Sequence, residues 1–395
     1  MKDQAIKLYL EGGLRKDAVA KELGVSRSQV REWLRGLDKR VDIVSDDSCK
    51  PSSEALLKDR IRQLEQQAAA QHRETLDEHY VKSKIVGLTE LTPQPPHWLV
   101  EGHSYGNWSA VPTLFASDWH WGEVIDPSQI GGVNSYDLEE ANHRAQNMVE
   151  KAITLLDMVG GEYPGIVFAL GGDLMSGNIH QELANTNDAE IMPTFLNLYE
   201  RLIWCISTLA DKYDRVFVPV VTGNHSRTTH KIQHKERTFT NYDWLMGCLL
   251  AKYFENDDRI EFQIPNGPDA LFSIYGTRYL LTHGDSFRGG DGLIGFLGPL
   301  TRGDHKKRSR NNQIDMGYDV MVVGHFHQLH QSQRLIANGS LCGYNEFAYN
   351  NNFGYEVPRQ ALWLTHRDHG IIMSMAVNVS EPEEHVGQDW VSWKE

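Results

Sequence analysis

The chain has 395 residues, of which 40% are hydrophobic and 10% aromatic, and its formal net charge is −14. This length is typical of two or three folding units, and the hydrophobic content supports a sizeable core, which excludes a disordered protein. The apolar runs are far shorter than the roughly 20 residues of a membrane-spanning helix, so no membrane partner is expected. No signal peptide and no paired cysteine motif are recognised, so the sequence predicts a cytoplasmic protein.

Charge is distributed unevenly along the chain. Residues 1–42 carry ten Lys and Arg against seven Asp and Glu, a net +3, which leaves −17 for the remainder. The acidic remainder excludes nonspecific adhesion to nucleic acid over the whole surface. The basic N-terminal region is compatible with a local nucleic-acid contact but does not require one.

Residues 1–42 are predicted to form a small all-α domain of three helices, called the head below. The segments Lys16–Leu23 and Ser26–Leu37 have the spacing of a helix-turn-helix, and Ser26 with Gln29 forms a capping box. Side chains on the front of the third helix are expected to reach a DNA major groove. These DNA-binding candidates are Arg27, Ser28, Gln29 and Arg31.

The head resembles the helix-turn-helix domains of transposases, resolvases and phage small terminase subunits. The resemblance covers about 40 residues and implies DNA as a partner. A three-helix protein-interaction module is the alternative interpretation.

Residues 43–95 are predicted to be a linker followed by a helix. Leu57, Ile61, Leu64 and Ala68 fall at alternating four- and three-residue steps, which is the spacing of a coiled-coil seam. The pattern weakens after Ala68. A homodimer formed through residues 53–85 is therefore one interpretation, and a helix packed on its own chain is the other.

Residues 96–395, called the body below, alternate short apolar strands with helical stretches, which predicts a layered α/β domain. Five strands are each followed within about three residues by a polar cluster. Because ligands bind beyond the carboxyl ends of strands in open α/β sheets, these clusters are expected to meet at one edge. The predicted strands are Thr113–Ala116, Ile166–Leu170, Val216–Val221, Tyr279–Thr282 and Val320–Val323.

The clusters supply seven candidate metal ligands. Seven donors are too many for one ion and suit two ions that share a carboxylate, for which Asp173 is the natural candidate. Imidazole with carboxylate favours Mn²⁺, with Fe²⁺, Zn²⁺ or Mg²⁺ as alternatives. The candidate ligands are Asp118, His120, Asp173, Asn224, His283, His325 and His327.

The blocks D-x-H-x-G, GGD, GNH, HGD and GHxH occur in this order between residues 110 and 330. Together they resemble the calcineurin-like metallophosphoesterase superfamily, including its nuclease branch, the double-strand-break-repair nucleases. The resemblance implies a sandwich of two β-sheets flanked by helices, and hydrolysis of phosphate esters at two metal ions.

The resemblance also implies a role for each donor. Asp173 would bridge the two ions, and His225 would act as general acid or as a donor to the phosphate, so both are candidate catalytic residues. One ion would be held by Asp118, His120 and His327, and the other by Asn224, His283 and His325.

The sequence departs from the family pattern at two blocks. Many members have an acidic residue after the GNH histidine, where this chain has Ser226, and that leaves the protonation of His225 open. The arginines of the protein-phosphatase motifs GDxVDRG and RGNHE are also absent. A Ser/Thr protein phosphatase is therefore disfavoured.

Several groups outside the blocks are candidate substrate contacts. The sequence predicts that Arg288 and a basic loop overhang the metal edge and follow a phosphodiester backbone, against the alternative of a solvated charged loop. The loop cations are Lys306, Lys307, Arg308 and Arg310. Five later aromatic residues could stack on bases, although ordinary packing is the favoured interpretation: Tyr344, Phe347, Tyr349, Phe353 and Tyr355.

Head and body together predict a DNA-directed, metal-dependent phosphodiesterase, that is, a nuclease. One alternative is a phosphodiesterase or phosphatase for a small nucleotide. The other is a DNA-binding transcription or packaging regulator without catalysis, whose metal domain senses a ligand.

Overall fold

The computed structural model describes residues 1–12, 14–35, 95–100, 110–288 and 295–381. The chain divides into two compact units, Met1–His79 and Tyr80–Glu395, which are described separately. The predicted coiled-coil seam and the homodimer through residues 53–85 lie outside the described residues. The predicted boundaries at residues 42/43 and 95/96 stay predictions.

The head contains three short helices around a small apolar core. The capping box is confirmed, because the Ser26 side chain accepts from the Gln29 backbone while the Gln29 side chain accepts from the Ser26 backbone. The third helix ends at Trp33 with Leu34 as its C-cap, so the predicted end at Leu37 is wrong. The helices are α1 (Lys2–Leu10), α2 (Lys16–Glu22) and α3 (Arg27–Trp33). The buried core residues are Ala5, Val19, Ala20, Val30 and Leu34.

The first sheet of the body has six strands in the order β11-β10-β1-β2-β3-β4. Strands β1 to β4 are parallel, and β10 and β11 are added antiparallel at one side. The strands are β1 (Ala110–Ala116), β2 (Ile166–Leu170), β3 (Val216–Pro219), β4 (Ile260–Gln263), β10 (Arg359–His366) and β11 (Gly370–Asn378).

The second sheet has five strands in the order β5-β6-β7-β9-β8. Its central strands β6, β7 and β9 are parallel, and β5 and β8 are antiparallel edges. The strands are β5 (Asp269–Ile274), β6 (Thr277–Thr282), β7 (Val320–Val323), β8 (His330–Gln331) and β9 (Leu335–Ala337).

Seven α-helices are described in the body, together with 3₁₀ turns at Pro127–Gln129 and Arg237–Thr240. None of them combines the length and the apolar character of a membrane span. The helices are α4 (His97–Val100), α5 (Leu138–Val159), α6 (Gln181–Thr186), α7 (Ile191–Tyr213), α8 (Tyr242–Tyr253), α9 (Leu297–Asn312) and α10 (Glu346–Asn350).

A buried aromatic layer fills the space between the two sheets. Phe217 of the first sheet contacts Phe272 of the second at a ring-centroid distance of 5.7 Å, and Phe272 stacks on Tyr279 at 5.4 Å. Full burial of each large apolar side chain contributes about 1.5–3 kcal/mol to folding. This layer holds the two sheets together, as a sandwich requires.

Helices cover the outer face of each sheet. The long helices α5 and α7 are amphipathic and pack their buried faces on the six-stranded sheet, while Leu300 of α9 packs on Leu280 and Met321 of the other sheet. The predicted α/β sandwich of two sheets flanked by helices is confirmed, as is the all-α head before it. The parallel strands β1, β2, β3, β6 and β7 each lead into one of the five polar clusters.

Candidate metal centre

The candidate ligands lie on an unusual backbone. Ten non-glycine residues of the described ranges have positive φ, and five of them are candidate ligands. Such conformations cost about 1–3 kcal/mol each and persist only where the surrounding structure enforces them. The five ligands, with φ between 46° and 69°, are Asp118, His120, Asp173, His325 and His327.

Backbone hydrogen bonds join the strand-end loops directly. The amide of Asp118 donates to Gly172 O at 3.1 Å, and the amide of His120 donates to Asp173 O at 3.1 Å. The amide of His325, from the other sheet, donates to Asp118 Oδ1 at 2.8 Å. The ends of β1, β2 and β7 therefore form one continuous edge, as their parallel arrangement predicts.

Glycines allow the ligand loops to approach one another this closely. A Cβ on Gly223 would overlap the Asp173 carboxylate, and a Cβ on Gly324 would lie 2.5 Å from Asp118 Oδ2. Both positions therefore require glycine, because the side chain of any larger residue would displace a candidate ligand.

The first group of donors contains Asp118, His120 and His327. The Nε2 atoms of His120 and His327 are 3.0 Å apart, and His327 Nε2 is 3.5 Å from Asp118 Oδ1. One ligand atom each from Asp118, His120 and Asp173 lie within 4.8 Å of one another.

The second group contains Asp173, Asn224, His283 and His325. His283 Nε2 lies 2.9 Å from Asp173 Oδ2 and 3.2 Å from Asn224 Oδ1. The ligand atoms of Asp173, His283 and His325 also lie within 4.8 Å of one another. Asp173 is thus shared by both groups, and the structure brings all seven candidate ligands together.

The protonation pattern of the second group fits a cation. His283 Nδ1 donates to Gly171 O at 3.0 Å, so the Nε2 lone pair of the neutral ring faces two acceptor oxygens. Burial alone would lower the pKa of His283, but the charge and hydrogen bond of Asp173 outweigh burial and raise that pKa to about 10. A divalent cation would satisfy the same three atoms without the extra proton.

In the first group, too, ring nitrogens lie where a cation would satisfy them better than the neighbouring side chains do. The two facing Nε2 atoms of His120 and His327 cannot both present lone pairs without repulsion, and His120 Nδ1 is buried without a hydrogen-bond partner. Burial, with the neighbouring His225 and His327, lowers the pKa of His120 well below its usual value. A neutral, coordinating imidazole is therefore the favoured form.

Glu123 is a residue that the sequence analysis did not identify. Its carboxylate is buried, lies 3.6 Å from His120 Nδ1 and accepts a hydrogen bond from Asn345 at 2.8 Å. Burial raises the pKa of Glu123 to about 7. A carboxylate behind a ligating histidine orients the ring, so Glu123 is placed as a positioning residue for His120. The sequence feature that could have identified Glu123 is its position directly after the D-x-H-x-G block.

Asp243, at the start of α8, was also missed. Its carboxylate is buried and accepts hydrogen bonds from the amides of Asp173 (3.1 Å), Leu174 (3.3 Å) and Gly223 (2.9 Å), and from the Ser226 hydroxyl (2.7 Å). It therefore joins the loops that follow β2 and β3. No local motif marks Asp243, because its role depends on how α8 packs.

His225 lies beside both groups. Its Nδ1 donates to Ser176 O at 3.2 Å, and its amide donates to Asp173 Oδ1 at 2.6 Å. Its ring contacts the ring of His120 edge-on at 4.6 Å between centroids, and the exposed His180 ring lies 5.5 Å from it. His180, which the sequence analysis did not single out, extends the row of imidazoles outwards from the ligands.

The predicted basic loop is a helix, so that interpretation of the sequence is wrong. Lys306, Lys307, Arg308 and Arg310 lie on α9, and the buried ammonium group of Lys307 pairs with Asp269 at 2.5 Å. Arg308 pairs with Asp304 at 2.9 Å. The charge run gave no sign of these internal partners.

Three other basic side chains of this region are exposed. Lys306 and Arg288 are exposed. Arg310 also pairs with Asp269, at 2.8 Å, while its side chain is 54% exposed. A substrate contact by Arg288, Lys306, Lys307 or Arg308 stays a prediction.

Four of the five later aromatic residues named in the sequence analysis are exposed, and Tyr344 is half-buried. Phe347 is 67% exposed and contacts Phe353 at 5.7 Å, and Tyr344 contacts Tyr355 at 5.5 Å. They are linked to the candidate centre through Asn345, which binds Glu123. Their mutual packing accounts for part of their apolar surface, and a role in base stacking stays a prediction.

In the head, all four predicted DNA-binding residues are exposed on α3. Arg27 forms an ion pair with Asp17 of α2, and Ser28 Oγ lies 2.9 Å from Ser26 Oγ. The side-chain oxygen of Gln29 accepts the Ser26 backbone amide in the capping box. Arg31, in the last turn of α3, is the fourth of these exposed side chains.

Comparisons with known proteins identify the head and find structural neighbours of the chain. No curated protein sequence matches. Similar solved structures include a conserved protein from Streptococcus pneumoniae TIGR4, itself a predicted phosphoesterase, at 10% identity and a TM-score of 0.24 over 68% of this chain and 97% of that one. Vacuolar protein sorting 29 from Cryptosporidium parvum has 12% identity and a TM-score of 0.26 over 68% of this chain and 97% of that one.

A third structure is the calcineurin-like phosphoesterase YfkN from Bacillus subtilis, at 12% identity and a TM-score of 0.25 over 69% of this chain and 91% of that one. Likenesses of this strength carry no argument about activity, which has to come from the residues of the site. Residues 4–42 match the family model of a homeodomain-like domain, and the structural neighbours of the chain include calcineurin-like phosphoesterases.

Proposed function

We propose that the body is a two-metal phosphoesterase. The observation that carries this proposal is the sharing of Asp173 by two groups of buried donors whose lone pairs face one another. Asp118, His120 and His327 would hold one ion, and Asn224, His283 and His325 the other. When bound, such ions neutralise charge on the phosphoryl oxygens and supply a nucleophile from water. The mixed nitrogen and oxygen donors favour Mn²⁺, with Fe²⁺, Zn²⁺ or Mg²⁺ as alternatives.

The chain's own residues would then orient the ester and donate a proton to the leaving oxygen. The Ser176 carbonyl fixes Nδ1 of His225 as a donor, so Nε2 is the nitrogen available to the substrate. An anionic phosphate beside this ring favours its doubly protonated form, whose Nε2–H can donate to the leaving oxygen. Glu123 keeps His120 oriented, and Asp243 keeps the Asp173 and Asn224 loops in register.

We further propose that the substrate is DNA and that the enzyme is a nuclease directed by its head. The support is the homeodomain-like match over residues 4–42 and the exposure of Arg27, Ser28, Gln29 and Arg31 on α3. A helix-turn-helix that binds duplex DNA raises the local concentration of phosphodiester at a tethered active site. Activity on a small nucleotide is the alternative that the site chemistry also permits.

The test combines metal analysis with a substrate panel. The wild-type chain, loaded with Mn²⁺, is expected to hold two ions and to cleave plasmid and linear DNA as well as bis-p-nitrophenyl phosphate. An Asp173→Asn variant is expected to lose metal and both activities together, because it removes the shared carboxylate.

The outcomes separate the candidate functions. Rapid hydrolysis of bis-p-nitrophenyl phosphate without DNA cleavage would support the small-nucleotide enzyme. A wild-type chain that binds DNA but holds no metal and hydrolyses no ester would overturn the phosphoesterase proposal and support a regulator.

A further inference from the structure

The loop between β3 and α8 concentrates positive charge in a chain whose net charge is negative. Residues 227–237, called the cationic loop below, carry four Lys and Arg against one Glu, whereas the whole chain has a net charge of −14. The loop follows the GNH block directly, so its first residue lies only three positions after Asn224. The four cations are Arg227, Lys231, Lys235 and Arg237.

Two arginines anchor this loop against the candidate metal centre. Arg227 donates to the carbonyl oxygens of Asn224 and Thr229, both at 2.8 Å, which folds the loop back on the ligand that precedes it. Arg237 Nη2 pairs with Asp285 Oδ2 at 2.7 Å, in the block that contains His283. A groove between these anchors is lined by Asn224, Arg227, Arg237 and Asp285.

The two lysines of the cationic loop are exposed to solvent. Residues 231–236 are all exposed, so Lys231 and Lys235 present their ammonium groups to solvent, and even Ile232 is 48% exposed. In contrast, Lys307 of the basic helix α9 is buried against Asp269. The loop therefore presents two exposed lysines on a segment that is anchored at Asn224 and Asp285, whereas Lys307 of the charge run is held in an internal ion pair.

We propose that the cationic loop binds the sugar-phosphate backbone of DNA beyond the scissile bond. This inference rests on the proposed function and specifies its substrate as a polymer. At a two-metal centre the ions neutralise the reacting phosphate, so additional exposed cations beside it match phosphates further along a chain. A nucleoside monophosphate or a cyclic mononucleotide offers no such phosphates, and a strongly acidic body otherwise repels DNA.

The experiment compares two double variants of the full-length, Mn²⁺-loaded chain. Lys231→Gln/Lys235→Gln removes the exposed loop cations. Lys212→Gln/Lys252→Gln removes the same charge from surface pairs with Asp157 and Glu255 and serves as the control. The measured quantity is kcat/KM for linear duplex DNA divided by kcat/KM for bis-p-nitrophenyl phosphate, at several salt concentrations.

The loop variant is expected to lower this ratio about tenfold near physiological salt and to flatten the salt dependence of DNA cleavage by up to about two logarithmic units per decade. The control is expected to keep the wild-type ratio and slope. A loop variant that behaves like the control overturns the inference, as does a parallel loss of both activities, which would make the loop part of the site's own structure. A wild-type chain that hydrolyses neither substrate would instead remove the proposed function.

Discussion

The hydroxyl of Ser226 donates to Asp243 Oδ1 at a distance of 2.7 Å. The sequence departs from the family pattern at Ser226, where many members have an acidic residue. In the folded chain a carboxylate nevertheless occupies this region, because Asp243 reaches it from the start of α8. Asp243 also accepts the amides of Asp173 and Gly223, so it connects two loops that carry candidate ligands.

Asp243→Asn is expected to weaken metal binding without removing a ligand. An asparagine offers one acceptor oxygen, and its amide nitrogen would face the donating amides of Asp173 or Gly223, which leaves buried donors unpaired. We expect a loss of about 2–4 kcal/mol in stability and about 10- to 100-fold in metal affinity. Thermal unfolding and metal titration measure the two effects.

Ser226→Ala is the matched control for Asp243→Asn. It removes one of the four donors and leaves the carboxylate in place, so a smaller effect on both quantities is expected. If Asp243→Asn bound metal as tightly as the wild type, the positioning role of Asp243 would be wrong.

The sequence predicted which polar residues lie together at the sheet edge and missed the residues that support them, for a physical reason. Each candidate ligand follows a buried strand within a few residues, so local pattern and sheet geometry together place it at the edge. Asp243 acts through the packing of a helix that follows β3, and Lys307 through an ion pair with Asp269, 38 residues earlier in the chain. Neither partner is visible in a local pattern.

His225→Ala is expected to affect esters according to their leaving group. A general acid is needed when the leaving oxygen is strongly basic, as in DNA, and contributes little when the leaving group is a nitrophenolate. We expect DNA cleavage to fall about 100- to 10,000-fold with a much smaller change for bis-p-nitrophenyl phosphate and an unchanged metal content. An equal loss on both substrates would argue that His225 acts on the metal site instead.

Metal removal is expected to destabilise the body. His283 Nε2 faces Asp173 and Asn224, so without a cation these buried oxygens are satisfied only by a proton on the imidazole, whose pKa is raised to about 10. A bound divalent cation replaces that proton and stabilises the folded state. Mn²⁺ at about 100 times its Kd should raise the free energy of unfolding by about 2.7 kcal/mol per independent site. Scanning calorimetry with Mn²⁺ or with a chelator measures the shift.

His283→Ala provides the comparison for this metal-dependent shift, because it removes one candidate ligand and its buried imidazole. We expect the variant to show a clearly reduced stabilisation by Mn²⁺. The same Mn²⁺-dependent rise in Tm in variant and wild type would place the ions elsewhere.

Lys307→Met is expected to lower stability, whereas Lys306→Gln leaves it within about 0.5 kcal/mol of the wild type. Lys307 is buried against Asp269, and removing it leaves that carboxylate with Arg310 and the Thr282 side chain, at a cost of about 1–3 kcal/mol. Burial raises the pKa of Asp269, but Lys307 and Arg310 outweigh burial and lower it.

This lowered pKa fixes the pH dependence of the Lys307 pair. A depressed carboxylate pKa contributes stability above the unfolded value of about 4, and the contribution is lost as pH falls through the folded value. The difference between wild type and Lys307→Met should therefore be full at neutral pH and shrink in acid. Denaturant unfolding across this range measures it, and a difference that grew in acid would contradict the assignment.

Two substitutions in the head separate its folding from its DNA contacts. Ser26→Ala removes the capping box of α3 and is expected to cost about 1 kcal/mol of helix stability.

Arg31→Ala removes an exposed cation from the same helix, so it should leave the fold unchanged and weaken duplex binding by about 1–3 kcal/mol. Lys7→Ala, which removes one exposed positive charge from α1, is the matched control and should bind nearly as the wild type does. Titration of labelled duplex DNA with each full-length variant measures the affinity, and equal affinities for Arg31→Ala and Lys7→Ala would remove α3 as the recognition helix.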